Sequence, residues 1–338
     1  MQTAATPALA MLRLLGGYQI SQALYVVARA GVADRLVDGE VPVAELARAT
    51  GLRPDALARI VHVLAGEGVF AFDRPTDLVA LGPLGRTLLT DGPESLRNIA
   101  LTWMETHYPP FGELWHTATT GEPAIDHHFG MPLFEWLARD RERAATFSGA
   151  MGDFARAIRQ DAFAAVELEG VRTVVDVGGA DGAVLAALAR RHPGLRGTVL
   201  DLPHVVAAAP PVLRAHGVDD RITAVGGDFF AEMPPADCYL ACFVLHDWSD
   251  ERATGILRRM HRAAAVPHAR LVLVETVLDR GESPEVAALL DLTMLGMLTG
   301  RERAAEEWRA LLAAGGFRLD RIREAGGPAC VIEATRVP

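Results

Sequence analysis

The sequence predicts an α/β fold: a doubly wound, Rossmann-like parallel sheet in the second half, preceded by an all-α region that carries a winged helix. Three observations lead there. From about residue 172, β-branched runs ending in glycine or an acid alternate with amphipathic helices, the signature of a parallel sheet. Residues 42–85 read as helix, turn, helix and small β-hairpin, which is the winged-helix order. The chain has 338 residues, enough for about two domains.

The elements follow in order. Residues 9–37 place Leu12, Leu15, Ile20, Leu24, Val27, Val32 and Leu36 at helical spacing; this strongly apolar surface is either intrachain core or the seat of a partner subunit. PVAELARATG is a short helix ended by Gly51, and RPDALARIVHVLAGEG a second, opened by Pro54 and closed by Gly66 and Gly68. VFAFD and LVALGPLG then form two strands. Residues 94–165 read as helices and loops rich in aromatics (Trp103, Tyr108, Phe111, Trp115, Phe129, Phe134, Trp136, Phe147, Phe154, Phe163), most of them expected in the core. The sheet strands are RTVVDVGG, GTVLDL, RITAVGGD, ADCYLACFVL, ARLVLVETV, FRLDRIREA and ACVIEATRV. The helices between them are GAVLAALARRHP, a segment through VVAAAPPVLRAHG, DERATGILRRMHRAAA, and helices over 285–315. The expected divisions are 1–92, 93–165 and 166–338.

Composition excludes several classes. The net charge is −10, which argues against general affinity for nucleic acid or anionic membrane. The second helix of the winged region offers only Arg53, Arg59 and His62 outward, so DNA binding is disfavoured. Cys238, Cys242 and Cys330 have neither the number nor the spacing of a disulfide framework or a zinc site. A reducing cytoplasm fits. The amino terminus lacks the early positive cluster of a signal peptide, and no apolar run reaches a membrane span of ~18–20 residues.

In a doubly wound sheet, ligands bind outside the carboxyl ends of the strands. The first strand ends in Asp176, Gly178, Gly179 and Gly182, a turn that brings backbone close to a ligand. The second ends in Asp201 and Leu202. Asp201 follows Gly178 by 23 residues, near the ~20-residue offset at which an acid takes ribose hydroxyls. The third offers Asp228 and Phe229, the fourth His246 and Asp247, and the fifth Glu275. Acids dominate and no arginine sits in the glycine turn. That environment disfavours a pyrophosphate and suits a ligand with a cation, an adenine and a ribose, which S-adenosylmethionine combines.

The strings VVDVGGADG, LDLPHVV, GGDFF, VLHDWSDE and TGRERAAEEW, in this order, resemble the S-adenosylmethionine-dependent O-methyltransferases of the plant caffeate and bacterial polyketide type. The resemblance spans nearly the whole chain. It implies a class I methyltransferase sheet and a homodimer formed through an N-terminal region that does not bind DNA. It implies that Asp176, Gly178, Gly179, Asp201, Leu202, Asp228, Phe229 and Cys242 hold the cofactor. His246 matches the general base, with Asp247 beside it, and Glu275 and Glu302 match the acids that position it. Met151 and Met294 match methionines that clamp an aromatic substrate. His107, Tyr108, Phe154 and Thr293 are further candidates for substrate contact.

The implied activity is methylation of a phenolic hydroxyl on a small aromatic secondary metabolite. The runner-up is a natural-product enzyme that binds the cofactor without methylating, as a hydroxylase or pericyclase; a winged-helix transcription regulator is the alternative of another class. Four positions depart from the pattern. Ala180 replaces the middle glycine of the first loop, Cys242 a lysine of plant members, Thr293 an asparagine common in bacterial ones, and Thr299 one of two glycines before Arg301. Arg301 and Arg303 read as a solvated face.

Overall fold

The computed structural model describes residues 6–92, 94–280, 284–325 and 327–338, with side chains outside 155–161. The first five residues of the amino-terminal stretch read for a signal peptide lie outside the described residues. Two compact units emerge: Met1–Gly112 with Phe134–Ala157, and Glu113–Leu133 with Ile158–Pro338. Residues 93–165 divide between them.

The first unit opens with helices α1 (Pro7–Leu15) and α2 (Gly17–Arg29). Strand β1 (Val41–Pro42) leads into α3 (Val43–Thr50) and α4 (Pro54–Gly66), followed by β2 (Phe70–Asp73) and β3 (Leu78–Leu81). Gly51 ends α3 in the left-handed conformation, as its place in the sequence predicts. The hairpin pairs Phe70 with Leu81 antiparallel, and β1 adds to β3, giving the order β1-β3-β2. Val27, Val32, Leu36, Leu46, Leu57, Leu64, Phe70 and Val79 form its core. Leu12 and Leu15 do not join it, and no residue of α1 is buried.

Short helices come next: α5 (Arg97–Thr102), a π-helical turn Trp103–His107, and α6 (Tyr108–Phe111). Then α7 (Leu114–Thr120), α8 (Ala124–Phe129), α9 (Leu133–Ala138) and α10 (Arg141–Ala165) follow. The aromatics of this stretch correct the expectation of a core cluster. Of the ten, only Phe154 is buried, and Trp115 is 81% exposed. Hydrophobic type alone does not fix burial where helices are too short to present a continuous apolar stripe.

The second unit contains β4 (Thr173–Val177), β5 (Arg196–Asp201), β6 (Ile222–Gly226), β7 (Cys238–Cys242) and β8 (Arg270–Thr276). These pair in parallel, while β9 (Phe317–Glu324) and β10 (Ala329–Arg336) close the sheet antiparallel. The order β6-β5-β4-β7-β8-β10-β9 reverses direction between β4 and β7. That places the switch point at the glycine turn after β4. Helices α11 (Ala183–Arg191), α12 (Pro203–Val206), α13 (Ala209–Ala215), α14 (Asp250–Ala263), α15 (Pro284–Met297) and α16 (Ala305–Ala314) complete the unit. Tyr239, Leu245, Leu257, Trp308, Phe317 and Ile332 lie in its buried core.

Two elements differ from their sequence pattern. The predicted helix through 205–217 is two helices, because Pro210 and Pro211 lack an N–H and their rings cannot follow a continuous preceding turn. The predicted fourth strand through Leu245 stops at Cys242. Phe243 takes φ +53°, which no strand accommodates, and Leu245–Asp247 forms a 3₁₀ turn.

Candidate active site

The glycine turn after β4 is built for close approach. Gly178 has φ +70°, and a Cβ there would meet Val244 Cγ2 at 2.8 Å. Ala180 adopts φ +48°, the conformation glycine takes without penalty, so its methyl is strained rather than merely crowded. Its N–H donates to Asp201 Oδ2 at 2.9 Å, and Leu202 N–H donates to Asp201 Oδ1 at 2.7 Å. Asp201 thereby ties the end of β5 to the first loop. Burial raises its carboxyl above the usual range against the pull of these two amides. Asp176 is buried at the end of β4. Asp228 Oδ1 accepts from Phe230 N–H at 2.8 Å, and the rings of Phe229 and Phe230 stand 5.0 Å apart. Cys242 is half-buried at the end of β7.

These strand ends supply the test of what ligand fits. Three carboxylates, Asp176, Asp201 and Asp228, stand at successive strand ends, and no arginine occurs in 173–189 or 222–250. Acids at strand ends whose own segments carry no arginine match a cationic nucleoside and oppose a pyrophosphate. The residues therefore fit S-adenosylmethionine.

His246 sits on the 3₁₀ turn after β7, buried to 6% exposure. Its Nδ1 lies 2.7 Å from Glu302 Oε1 and 3.9 Å from Glu275 Oε2, and its Nε2 lies 3.3 Å from Asp247 Oδ1. Glu275 and Glu302 are both buried. One side-chain nitrogen or oxygen from each of His246, Glu275 and Glu302 lies within 4.8 Å of the others, close enough for their charges to be coupled. Glu275 Oε1 also accepts from Val244 N–H at 3.2 Å and Leu245 N–H at 3.0 Å, holding the turn from below. Asp291 on α15 accepts from Glu302 N–H at 2.9 Å. The Phe243 ring meets the imidazole edge-on, with centroids 5.2 Å apart.

Burial pulls the His246 imidazole down, but Glu302, Glu275 and Asp247 outweigh it and push it up to about 10. Burial pushes Glu275 up to about 7, partly opposed by the charge on His246. The carboxylates thus favour the protonated imidazole, while burial disfavours charge on Glu275.

The substrate candidates divide by unit. Met294 and Thr293 lie on α15 in the unit that carries His246. Met294 is buried, and Thr293 Oγ1 donates back to Leu289 O at 2.9 Å. Met151, Phe154, His107 and Tyr108 belong to the other unit. His107 closes the π-helical turn, its Nδ1 lies 2.5 Å from Thr106 Oγ1, and it is pulled down to about 4 by burial. Tyr108 is exposed.

Sequence reasoning missed Arg303 and Gly300. Arg303 is not a solvated face but is fully buried beneath the His246 turn; Arg301, half exposed in its side chain, pairs with Glu307 at 2.7 Å. A Cβ on Gly300 would meet His246 O at 1.8 Å. The string TGRERAAEEW spans both, but its polar run does not announce that the arginine is buried or that the glycine lies against another loop.

The O-methyltransferase domain family matches residues 111–318, and the O-methyltransferase dimerisation domain family matches residues 12–91. Phenazine O-methyltransferase PhzM from Lysobacter antibioticus is 37% identical over 96% of this chain and 95% of its own. O-demethylpuromycin-O-methyltransferase from Streptomyces alboniger is 37% identical over 97% of this chain and 89% of its own. The crystal structure of NcsB1, an O-methyltransferase from neocarzinostatin biosynthesis in complex with S-adenosylmethionine and 2-hydroxy-5-methyl naphthoic acid, superposes with a TM-score of 0.84 at 30% identity, covering 99% of this chain and 100% of that one. The glycine turn, the acidic strand ends and the buried histidine thus coincide with full-length likeness to these enzymes, and the chain belongs to the S-adenosylmethionine-dependent O-methyltransferase family with an N-terminal dimerisation domain.

Proposed function

We propose that the chain methylates a phenolic hydroxyl of a small aromatic secondary metabolite, with His246 as general base. The observation that carries this reading is the buried 2.7 Å bond between His246 Nδ1 and Glu302 Oε1, at the strand end beside the glycine turn. Bound S-adenosylmethionine supplies an electrophilic methyl on a sulfonium. Asp201 would hold the ribose hydroxyls, and Asp228 with Phe229 the adenine. Gly178 and Gly179 would let the backbone approach, and Asp176, Leu202 and Cys242 would line the same cleft. Glu302 fixes the imidazole through Nδ1, leaving Nε2, 3.3 Å from Asp247 Oδ1, to take the acceptor's proton, and Glu275 holds the turn and would steady the imidazolium.

The proton balance supports a phenol over an aliphatic alcohol. A phenol titrates near ~10, and His246 is raised to about 10. The carboxylates make the imidazole a stronger base than a free one, which suits a phenol better than an alcohol, a far weaker acid. The methionine-containing helix α15 and the named substrates of the relatives, a phenazine and a hydroxynaphthoic acid, favour a flat aromatic acceptor. The protein works as a homodimer through its N-terminal domain, in the cytoplasm. Residues 166–338 carry the chemistry.

The test is methyl transfer from labelled cofactor to a panel of phenols, wild type against His246→Ala. The expected loss in kcat is ~10²–10⁴-fold. Undiminished transfer by the variant would remove His246 from the role.

A further inference from the structure

We propose that Arg303 is the positioning residue of the catalytic turn: its buried guanidinium clamps both ends of the segment carrying His246 and locks the imidazole against Glu302. The inference rests on His246 acting as the base.

The geometry is specific. Arg303 Nη1 donates to Leu245 O at 3.2 Å, and Nη2 donates to Trp248 O at 2.9 Å. Leu245 and Trp248 bracket His246 and Asp247, so one planar group holds the turn at its entry and its exit. Nη1 also donates to Arg301 O at 3.3 Å, which stiffens the loop that presents Glu302. The backbone of Arg303 ties the same loop to the end of β8: Val277 and Arg303 form a parallel bridge, and Leu278 N–H donates to Arg303 O at 3.1 Å. Glu275, two residues before Val277, supports the turn by accepting the amides of Val244 and Leu245. One residue therefore connects the turn of the base, the loop of Glu302 and the strand of Glu275.

The charge is placed at a cost. The Arg303 side chain is 1% exposed, and its one carboxylate partner among the described residues, Asp250, is 57% exposed and lies 2.8 Å away. Its remaining hydrogen-bond partners among the described residues are carbonyls, and its guanidinium carbon lies 5.2 Å from the Trp308 ring centre. Burying a cation on carbonyls is a poor source of stability, while its five fixed donors are well suited to holding several acceptors in register. Gly300 completes the fit, since only the absence of a Cβ lets this loop lie against His246 O. Without the clamp, the Leu245 and Trp248 carbonyls lose a buried donor and the imidazole is free to leave Glu302.

The groups facing His246 are Glu302, Glu275 and Asp247, so any withdrawal from Glu302 is visible in the imidazole titration. Arg303→Gln, Arg303→Lys, Asp250→Asn and His246→Ala are compared with wild type. The readouts are cofactor binding, which counts folded sites, kcat and KM, and the His246 titration by NMR without substrate. Arg303→Gln is expected to lose ~10²-fold in kcat per cofactor-binding site, with cofactor Kd and substrate KM within about 2-fold. Its His246 titration moves toward neutral pH. Arg303→Lys recovers part of kcat, since an ammonium reaches fewer carbonyls, and Asp250→Asn, which keeps the carbonyl bonds, loses less than either. Wild-type kcat and titration in both Arg303 variants would overturn the proposal, as would a loss of folded sites with an unmoved titration in those that remain. Should Arg303→Gln not fold, Arg303→Lys is read in its place, with Asp250→Asn as the control that keeps the carbonyl bonds. If His246→Ala retains transfer, the base assignment fails instead, and the titration still reports whether Arg303 sets the imidazole.

Discussion

At the scale of single residues, buried carboxylates raise the histidine they surround. As the proposed base, His246 works only when neutral, so activity is expected to rise with pH through the imidazole pKa. With that group pushed up to about 10, the limb lies on the alkaline side. Glu302→Gln removes a carboxylate that favours the imidazolium, so its limb is expected to move to lower pH while the plateau falls; a pH–rate profile of both proteins measures this. Gly300→Ala should cost ~1–3 kcal/mol of stability and lower kcat, because a Cβ 1.8 Å from His246 O forces the two loops apart; thermal melts and kinetics check it. Ala180→Gly should stabilise the protein by about 0.5–1 kcal/mol, since relief of a left-handed alanine outweighs the added unfolded-state freedom; urea titration reads the difference. His246, Glu275 and Glu302 were legible in the sequence because each ends a strand or stands in a recognisable string. Arg303 was not, because burial of a charge depends on carbonyls that lie more than fifty residues away in the chain.

At the scale of elements, local signals served well where a cap or a breaker decides the outcome. Ser249 caps α14: its Oγ accepts from Arg252 N–H at 3.4 Å. Asp250 and Glu251 follow in the first turn, where the helix dipole favours them. Ser249→Ala is expected to cost ~1 kcal/mol, seen as a lower denaturation midpoint with cofactor affinity unchanged. Strand β7 ended three residues early for a reason no propensity carries. Phe243 occupies a left-handed conformation, held by its N–H to Val274 O at 2.9 Å. The surrounding turn overrides the residue's own preference there, as strained backbone at functional sites commonly requires.

At the scale of the whole molecule, α1 presents Leu9, Leu12, Leu14 and Leu15 to solvent, with Leu14 75% exposed. A single helix with no buried residue is marginal in water, and the dimerisation domain family covers residues 12–91. The protein is expected to sediment as a dimer, and Leu12→Glu with Leu15→Glu to shift it toward monomer. No helix among the described residues is long and apolar enough to cross a membrane. The sequence by itself determined the α/β class, the strand ends that face the ligand and the residue types of the site, because hydrophobic period, glycine turns and strand-end acids are local properties of the chain. Only the tertiary structure decided which charges are buried, which aromatics are not, and which loop holds His246 in place. Those outcomes depend on distant backbone brought into contact, and neither residue type nor spacing encodes how closely two loops will lie.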